Sequence, residues 1–404
     1  MILVNPSQGA NTDIPNVPLG FVARHFGCRV VDLNTLHRSD LEVSAELSLA
    51  DNVLMSVQSR GLSAAESIRR MTLGRVAATI GHPAISSRVR SVTTMIRSQC
   101  VYAFLSPWGD ANNVHVDPLP RLPNYTQFDS FGIFQSHWKD GSWPYALYSS
   151  FNCPYLCSFC AARKGTWTPR NMEDFCTELN MAIQDYGAKS FTLMDDVANL
   201  KESHIILVSE AFKFWGRQWM CANGLRADRL TEKGARAMAD SGCHAVGFGI
   251  ETSNDLLLKQ VQKGETWTDI QRGLEIAKGS FGSVSGFLIL GLPGSSYDID
   301  RRTVDDCLDA GIYLHVSTYV PGADTAGLAA DVTFYGEHRA HSSAYSEVDQ
   351  ERLLAATRGL AWGCERSWQA NLAGRLRLLA GGRWRAAGRL CRMDAHKAWR
   401  RIRR

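Results

Sequence analysis

The sequence predicts an α/β protein with a doubly wound N-terminal domain, an incomplete β/α barrel and a helical C-terminal tail. Short β-rich segments alternate with helical ones over the first hundred residues, and the alternation resumes on a larger scale after residue 145. From Tyr345 the chain becomes rich in Ala, Leu and Arg. Repeated strand–helix alternation is typical of parallel sheets covered by helices on both faces.

The first domain is assigned to residues 1–107. Its strand candidates are Ile2–Val4, Arg29–Asp32, Asn52–Val57, Arg75–Ile80 and Cys100–Leu105. Helices are expected near residues 18–27, 62–72 and 86–97, with a Ser63–Glu66 capping-box pair at the start of the second. The segment between the second and third strands is short and less clearly helical. Together these features predict a compact, Rossmann-like fold.

Residues 108–144 are predicted to be a linker, because their first part is rich in Pro, Asn and Asp. Residues 145–325 are assigned to the barrel. Its strand candidates are Ala146–Phe151, Ser190–Met194, Gln218–Cys221, Ala245–Ile250, Ser285–Leu290 and Ile312–Tyr319. Helices are expected near residues 171–186, 201–215, 231–241, 267–279 and 298–310, with Asn171 as a cap and a Thr268–Gln271 capping box. Six β/α units of this size favour a (β/α)6-type partial TIM barrel.

Composition excludes several classes of protein. The 404 residues are 45% hydrophobic and 21% charged, which is not the composition of a disordered or fibrous chain. No run of about 18 apolar residues could form a transmembrane helix, and the first residues do not resemble a signal peptide. We therefore expect a soluble, cytoplasmic protein.

The basic residues are concentrated in the C-terminal region, residues 326–404. From residue 371 onwards eleven Lys or Arg residues face a single acid, Asp394, in a pattern of short amphipathic helices broken at Gly381 and Gly382. The apolar positions of this pattern are Leu372, Leu376, Leu379, Trp384, Ala387, Leu390, Ala398 and Ile402. Docking on an anionic membrane surface, contact with a phosphate-bearing carrier, and simple packing on the barrel are the alternatives. The acidic body predicts no nucleic-acid partner.

Three of the eleven cysteines, Cys153, Cys157 and Cys160, directly follow the first barrel strand. Three thiolates at this spacing can ligate a 4Fe–4S cluster and leave one iron open to a small molecule that chelates through an amine and a carboxylate. A zinc site would need a fourth ligand nearby, and the next cysteine, Cys176, falls on a predicted helix. Zinc and an unrelated trio of buried cysteines are the alternatives.

The Cys-x3-Cys-x-aromatic-Cys pattern resembles the cysteine motif of the radical S-adenosylmethionine (SAM) superfamily. Cys153, Cys157 and Cys160 match that motif position for position. The resemblance implies reductive cleavage of SAM at the open iron to methionine and a 5′-deoxyadenosyl radical. That radical would remove a hydrogen atom from a substrate. Phe159 is implied to shield the cluster and to contact the adenine.

Later motifs resemble the branch of this superfamily that carries cobalamin-type N-terminal domains. Asp195 and Asp196 end the second strand, where the branch has carboxylates that could receive the SAM ammonium. The alternative for Asp196 is a helix cap. Glu251 lies in a Gly-Ile-Glu motif that precedes Lys-Gly-Glu-Thr, and is expected to bind SAM or substrate, or else to form a structural ion pair.

Two further positions follow barrel strands. Gly291 belongs to a glycine-rich turn that would let the adenine approach the backbone. Arg226 follows the third strand, where the family also has an arginine; it is expected to contact a cofactor, with a solvated loop residue as the alternative.

Segments of the first domain resemble the cobalamin-binding domains of the same branch. Ligands of doubly wound sheets lie beyond the carboxyl ends of the strands, so Ser56, Ser59 and Gly81 are expected to contact a corrin. The Asp-x-His-x-x-Gly sequence that supplies a histidine ligand to cobalt is absent. Cobalamin binding and a degenerate, purely structural domain are therefore alternatives.

The leading interpretation is cobalamin-dependent C-methylation of a small organic molecule in specialised-metabolite biosynthesis, with electrons from a flavodoxin or ferredoxin. Without cobalamin, the alternative is a radical oxidoreductase, epimerase or rearrangement enzyme. Cys221, at the expected mouth end of the third strand, is the candidate hydrogen donor for epimerisation, or else a core cysteine. Nucleic-acid modification is a rival, and a non-catalytic iron–sulfur or cobalamin-binding regulator is a rival of another class.

Overall fold

A computed structural model describes residues 2–5, 17–36, 38–48, 53–57, 76–81, 121–160, 166–319, 344–358, 360 and 368–402. In this part of the chain two parallel sheets, a short antiparallel pair and a helical C-terminal region are formed. The α/β class and the partial barrel are therefore confirmed.

The N-terminal sheet has four described strands, all parallel, in the order β2-β1-β3-β4. They are β1 (Ile2–Asn5), β2 (Val30–Asp32), β3 (Val53–Val57) and β4 (Val76–Gly81). This order reverses at β1, as a doubly wound sheet requires. The fifth predicted strand and the predicted helices near 62–72 and 86–97 lie outside the described residues.

Two helices accompany this sheet, α1 (Val17–Phe26) and α2 (Asp40–Ser48). The second is a nine-residue helix in the segment that was expected to be short and less clearly helical. Its signal is a capping box: the Ser39 backbone N–H donates to the Glu42 carboxylate (2.8 Å), and the Glu42 N–H donates to Ser39 Oγ (3.3 Å).

Residues 121–144, expected to belong to the linker, are folded. They form a 3-10 turn at Tyr125–Gln127 and helix α3 (Phe131–Asp140). The Tyr125 ring lies 5.7 Å from the rings of both Phe128 and Trp138, and all three residues are buried. Pro, Asn and Asp dominate only before this aromatic cluster, so the linker signal extended too far. The domain boundaries themselves stay a prediction.

The barrel sheet has six parallel strands that neighbour one another in chain order. They are β5 (Tyr145–Leu147), β8 (Ser190–Leu193), β9 (Gln218–Leu225), β10 (Cys243–Glu251), β11 (Ser283–Leu290) and β12 (Tyr313–Thr318). The first predicted strand is split, because its second half becomes β6 (Ser150–Phe151) and pairs antiparallel with β7 (Thr168–Pro169). Among the described residues β5 and β12 do not pair, so the barrel is open.

Five predicted helices cover the barrel, and a sixth, short helix was not predicted. They are α4 (Met172–Gln184), α5 (Glu202–Trp215), α6 (Glu232–Asp240), α7 (Asp255–Gln260, the unpredicted one), α8 (Trp267–Ser280) and α9 (Tyr297–Ala310). Asn171 caps α4 as predicted. The capping box of α8 is formed by Thr266 and Asp269, not by Thr268 and Gln271, because Thr266 is the last residue with extended backbone angles.

A buried carboxylate joins the N-terminal sheet to the start of α3. Asp32 Oδ1 accepts from Asn5 Nδ2 (2.8 Å), and Asp32 Oδ2 accepts from Ser130 Oγ at the start of α3 (2.6 Å). Nearby, the edge of the Phe21 ring of α1 contacts Phe151 of β6 at a centroid distance of 6.5 Å. The N-terminal sheet is therefore packed on the barrel rather than tethered by a loose connection.

The C-terminal region forms α10 (Glu347–Thr357), α11 (Trp368–Ala380) and α12 (Trp384–Ile402). Arg383 pairs with Asp305 (2.7 Å) and Asp309 (2.6 Å) of α9, and Arg389 donates to the Lys278 carbonyl at the end of α8. These contacts place α12 against the amino-terminal end of the barrel. They support packing on the barrel as the role of the tail.

The apolar face of the tail differs from the expectation. Leu372 and Leu376 of α11 are 49% and 55% exposed, because the buried side of α11 carries Arg375 and Leu378 instead. In α12 Trp384 is 68% exposed, whereas Ala387 and Leu390 are buried as expected. Among the described residues no helix has the length and hydrophobicity needed to cross a membrane.

An ion pair between a buried arginine and a partly exposed aspartate also fixes the tail. Asp394 Oδ2 accepts from Arg375 Nη2 (2.8 Å), and Asp394 Oδ1 accepts from the hydroxyl of Tyr313, the first residue of β12 (2.6 Å). Arg375 is only 4% exposed. The tail is thus bonded to the barrel wall itself.

Replacing Asp394 with Ala should lower the free energy of unfolding by about 2 kcal/mol, because Arg375 stays buried without this carboxylate. Arg352→Ala, which removes a solvent-exposed pair with Asp349, should change it by less than about 0.5 kcal/mol. Urea denaturation followed by tryptophan fluorescence measures both. Equal losses in the two variants would contradict a structural role for the Asp394 contacts.

Candidate active site

The three-cysteine loop follows β6 and is held at both ends. It begins at Asn152, whose φ of 66° lies in the left-handed region and whose Nδ2 donates to the Thr166 carbonyl (3.1 Å). Further on, the Ser158 N–H donates to the Val261 carbonyl (2.9 Å). Cys157 is buried and Cys153 and Cys160 are half-buried; none of them forms a disulfide.

Tyr155 fixes the middle of this loop. The guanidinium carbon of Arg226 lies 3.5 Å from the centroid of the Tyr155 ring, and Arg229 Nε donates to the Tyr155 hydroxyl (3.1 Å). Such cation–π contacts stabilise by about 1–2 kcal/mol when partly desolvated. Tyr155 therefore joins the cysteine loop to the turn after β9.

The donor set fits a 4Fe–4S cluster better than zinc. In the described part of the chain, no three His, Cys, Asp or Glu side chains converge on one metal position. Zinc requires such convergence, whereas three cysteines of a cubane each ligate a different iron. Burial raises the pKa of Cys157, and the positive charges of Lys263 and Arg226 oppose that rise. Both cations therefore favour the thiolate that a metal ligand must be.

The two adjacent carboxylates after β8 have different environments. Asp195 is buried and accepts from the Ser149 N–H (2.8 Å), Ser149 Oγ (2.7 Å) and Ser150 Oγ (2.5 Å). Asp196 is half-buried beside the cysteine loop, and burial together with the neighbouring Asp195 charge raises its pKa to about 7. Asp195 therefore builds the wall of the site, and Asp196 is the better placed of the two to receive an ammonium group.

A buried ion network lies on the other side of the loop. Arg226 is 6% exposed and donates through Nε to Asp228 (2.9 Å) and through Nη1 to the Lys263 carbonyl (3.0 Å), so it is not a solvated loop residue. Lys263 Nζ donates to Glu251 Oε1 (3.1 Å). Glu251 thus forms the ion pair that was the alternative to ligand binding, and its contact with SAM or substrate stays a prediction.

Lys263 belongs to this network but was not among the site residues expected from the sequence. Its signal is the Lys-Gly-Glu-Thr motif, twelve residues beyond Glu251. Glu265 of the same motif also lies 3.7 Å from Lys263 Nζ. The motif therefore supplies both a cation and an anion to the buried network.

The turn after β11 is packed against the cysteine loop. Gly291 has a φ of 72°, a region that favours glycine, and its N–H donates to Asp300 Oδ2 (2.6 Å). The next residue, Leu292, belongs to a small apolar cluster that includes Val261 and the half-buried Phe159. Through Phe159, the cysteine loop thus packs in the same cluster as the turn where an adenine is expected.

Cys221 lies in the barrel wall and not at the mouth. Strand β9 continues to Leu225, four residues past the predicted end, so Cys221 is mid-strand and 0% exposed. Burial raises its pKa well above the usual value. The expected position of this candidate hydrogen donor is therefore wrong, and the structure favours a core cysteine.

Two of the three residues expected to contact a corrin share one edge of the N-terminal sheet. Ser56 pairs with Ile80 and Val57 with Gly81, at the carboxyl ends of β3 and β4. Ser59 lies outside the described residues. Ser56 and Gly81 thus lie at the ends of neighbouring parallel strands, and their contact with a corrin stays a prediction.

Comparison with known proteins agrees with this geometry. Residues 147–307 match the family described as the Radical SAM superfamily. The barrel is a radical SAM domain. This domain implies a 4Fe–4S cluster and SAM as its cofactors.

Two curated relatives are methyltransferases by name. The chain is 28% identical over 195 residues to an uncharacterized methyltransferase of Pyrococcus horikoshii, covering 47% of this chain and 41% of that protein. It is also 28% identical over 220 residues to the cytidylyl-2-hydroxyethylphosphonate methyltransferase of Streptomyces wedmorensis, covering 51% and 40%. The matches thus span about two fifths of the length of these relatives.

The fold is similar to two solved structures. One is the radical S-adenosylmethionine methyltransferase TsrM from Kitasatospora setae with tryptophan and a SAM analogue bound, with a TM-score of 0.57, 14% identity, and 79% of this chain and 72% of that one covered. The other is the cobalamin-dependent S-adenosylmethionine radical enzyme OxsB with aqua-cobalamin and SAM bound, with a TM-score of 0.55, 16% identity, and 78% and 53% covered. Because the barrel is less than half of the chain, the similarity of fold extends beyond it.

Asp195→Asn should lower the free energy of unfolding by about 2 kcal/mol, because an amide nitrogen cannot accept from Ser149 or Ser150. Asp196→Asn should be neutral or slightly stabilising, because it removes a charge that burial already disfavours. Urea denaturation of both variants without cofactors is the measurement. Asp196→Asn destabilising as much as Asp195→Asn would contradict this division of roles.

Proposed function

We propose that this enzyme is a cobalamin-dependent radical SAM methyltransferase that acts on a carbon atom of a small organic molecule. The observation that carries the proposal is the packing of a doubly wound sheet onto a radical SAM barrel through Asp32 and Ser130. The fold of this chain is similar to the folds of TsrM and OxsB, and OxsB is described as cobalamin-dependent. The two curated relatives, both named methyltransferases, support the same reaction.

When bound, the cluster supplies the electron that cleaves SAM, and cobalamin supplies the carrier of the methyl group. Cys153, Cys157 and Cys160 would hold the cluster. Asp196 would receive the SAM ammonium beside it, and the turn at Gly291 would admit the adenine. An external flavodoxin or ferredoxin would supply electrons.

The N-terminal sheet would hold the corrin at the edge formed by Ser56 and Gly81. These residues end neighbouring parallel strands, and doubly wound sheets bind ligands at that edge. The neighbouring part of the edge is closed to a ligand, because Asn5 and Ser130 both donate to Asp32 there. We therefore expect the corrin at the ends of β3 and β4.

The cluster assignment is tested with Cys157→Ala. After anaerobic reconstitution the unaltered enzyme should hold about four irons per chain and form 5′-deoxyadenosine when reduced in the presence of SAM. Cys157→Ala should lose most of the iron and all of the 5′-deoxyadenosine. Cys176→Ala is the matched control, since Cys176 is half-buried on α4 and outside the loop. Formation of 5′-deoxyadenosine by Cys157→Ala would contradict the assignment.

The methyl-transfer assignment is tested with cobalamin. Purification with added hydroxocobalamin should leave about one corrin per chain, measured by its visible absorbance, and replacing Gly81 with a bulky residue such as Trp should abolish retention by blocking the edge. A retained corrin that Gly81→Trp does not displace would place the site elsewhere. Failure of the unaltered enzyme to retain any corrin would contradict methylation and favour a radical oxidoreductase, epimerase or rearrangement enzyme.

A further inference from the structure

Tyr345 links the C-terminal region to the turn after β11. Its hydroxyl donates to Asp300 Oδ2 (2.7 Å), the same oxygen that accepts the Gly291 N–H (2.6 Å). Asp300 Oδ1 accepts from Ser295 Oγ (2.6 Å). The Asp300 carboxylate thus accepts from both ends of the turn, Gly291 and Ser295, and from Tyr345, which lies 45 positions after Asp300 in the chain.

Asp300 is well suited to hold this turn. It lies in the first turn of α9 and is 1% exposed, so its carboxylate depends on protein donors for hydrogen bonds. Hydrogen bonds to a charged group are stronger than those between neutral groups. Removing one donor would weaken the hold on the Gly291 amide and leave a desolvated oxygen less well satisfied.

Tyr345 is itself held in place. It immediately precedes Ser346, the N-cap of α10, whose Oγ accepts from the Asp349 N–H (3.2 Å). The Tyr345 ring also meets the edge of Tyr297 at a centroid distance of 6.3 Å and an interplanar angle of 81°. The start of α10 and the Tyr297 ring therefore hold Tyr345 where its hydroxyl reaches Asp300.

We propose that Tyr345 is a positioning residue for SAM, which acts through Asp300 to hold the Gly291 turn in the conformation that accepts the adenine. The proposal rests on the assignment of that turn to SAM in the proposed function. Because Leu292 of the turn packs in one cluster with Phe159, the same contact also sets the spacing between the turn and the cysteine loop. The C-terminal region, outside the segment that matches the superfamily, thus contributes to the cofactor site.

Tyr345→Phe tests the proposal, with Tyr313→Phe as its control. The Tyr345 hydroxyl donates to Asp300 (2.7 Å) and the Tyr313 hydroxyl donates to Asp394 (2.6 Å). Each of these hydrogen bonds links the C-terminal region to the barrel. Tyr313, however, lies at the opposite end of the barrel from Gly291. In the reconstituted enzyme Tyr345→Phe should weaken SAM binding about tenfold, the equivalent of one such hydrogen bond, and raise the KM for SAM more than it lowers kcat. Tyr313→Phe should bind SAM within about twofold of the unaltered enzyme.

Isothermal calorimetry with SAM and iron analysis separate the outcomes. Tenfold weaker binding in Tyr345→Phe alone, at unchanged iron content, supports the proposal. Equal SAM affinity in Tyr345→Phe and the unaltered enzyme overturns it and leaves the proposed function intact. Equal weakening in both variants also overturns it, since general destabilisation would then be the cause. An unaltered, iron-loaded enzyme that binds no SAM overturns the proposed function, and this inference with it.

Discussion

The site depends first on the buried carboxylate of Asp195. It accepts three hydrogen bonds from Ser149 and Ser150, and so fixes the chain between the first barrel strand and the cysteine loop. The Asp195 backbone in turn lies against Gly224 of β9, where a Cβ atom would come within 2.0 Å of the Asp195 carbonyl oxygen. These contacts hold the carboxyl ends of β5, β8 and β9 side by side. The cysteine loop, Asp196 and the turn after β9 therefore lie at the same end of the barrel.

Charge is arranged around the loop so that few ionised groups are left without a partner. Arg226 and Lys263 are buried, yet each lies against carboxylates and Arg226 also donates to backbone carbonyls. Removing one member of such a network leaves another charge desolvated, which is more costly than losing an exposed pair. The network therefore constrains the turn after β9 and the segment after β10 together. Because Tyr155 stacks on Arg226, the cysteine loop shares that constraint.

The sequence was informative wherever the signal was local. Strand positions, the cysteine loop and the Asn171 cap follow from periodicity, spacing and side-chain chemistry within a few residues. The α2 capping box was equally local and was overlooked, because that segment has little apolar periodicity. The position of Cys221 was missed because strand β9 continues through Gly224, a residue that usually marks a strand end. The Tyr345–Asp300 contact joins segments separated by 45 positions, and no pattern in one sequence reveals such a pairing.

The joint between the two sheets has a consequence for how the N-terminal domain is retained. Asp32 and Ser130 bond across it, and Phe21 packs on Phe151 of the barrel. Without the N-terminal sheet, Ser130 would lose the carboxylate to which it donates, and the Phe151 ring would lose its contact with Phe21. The sheet therefore has a structural role that does not depend on any ligand at its edge.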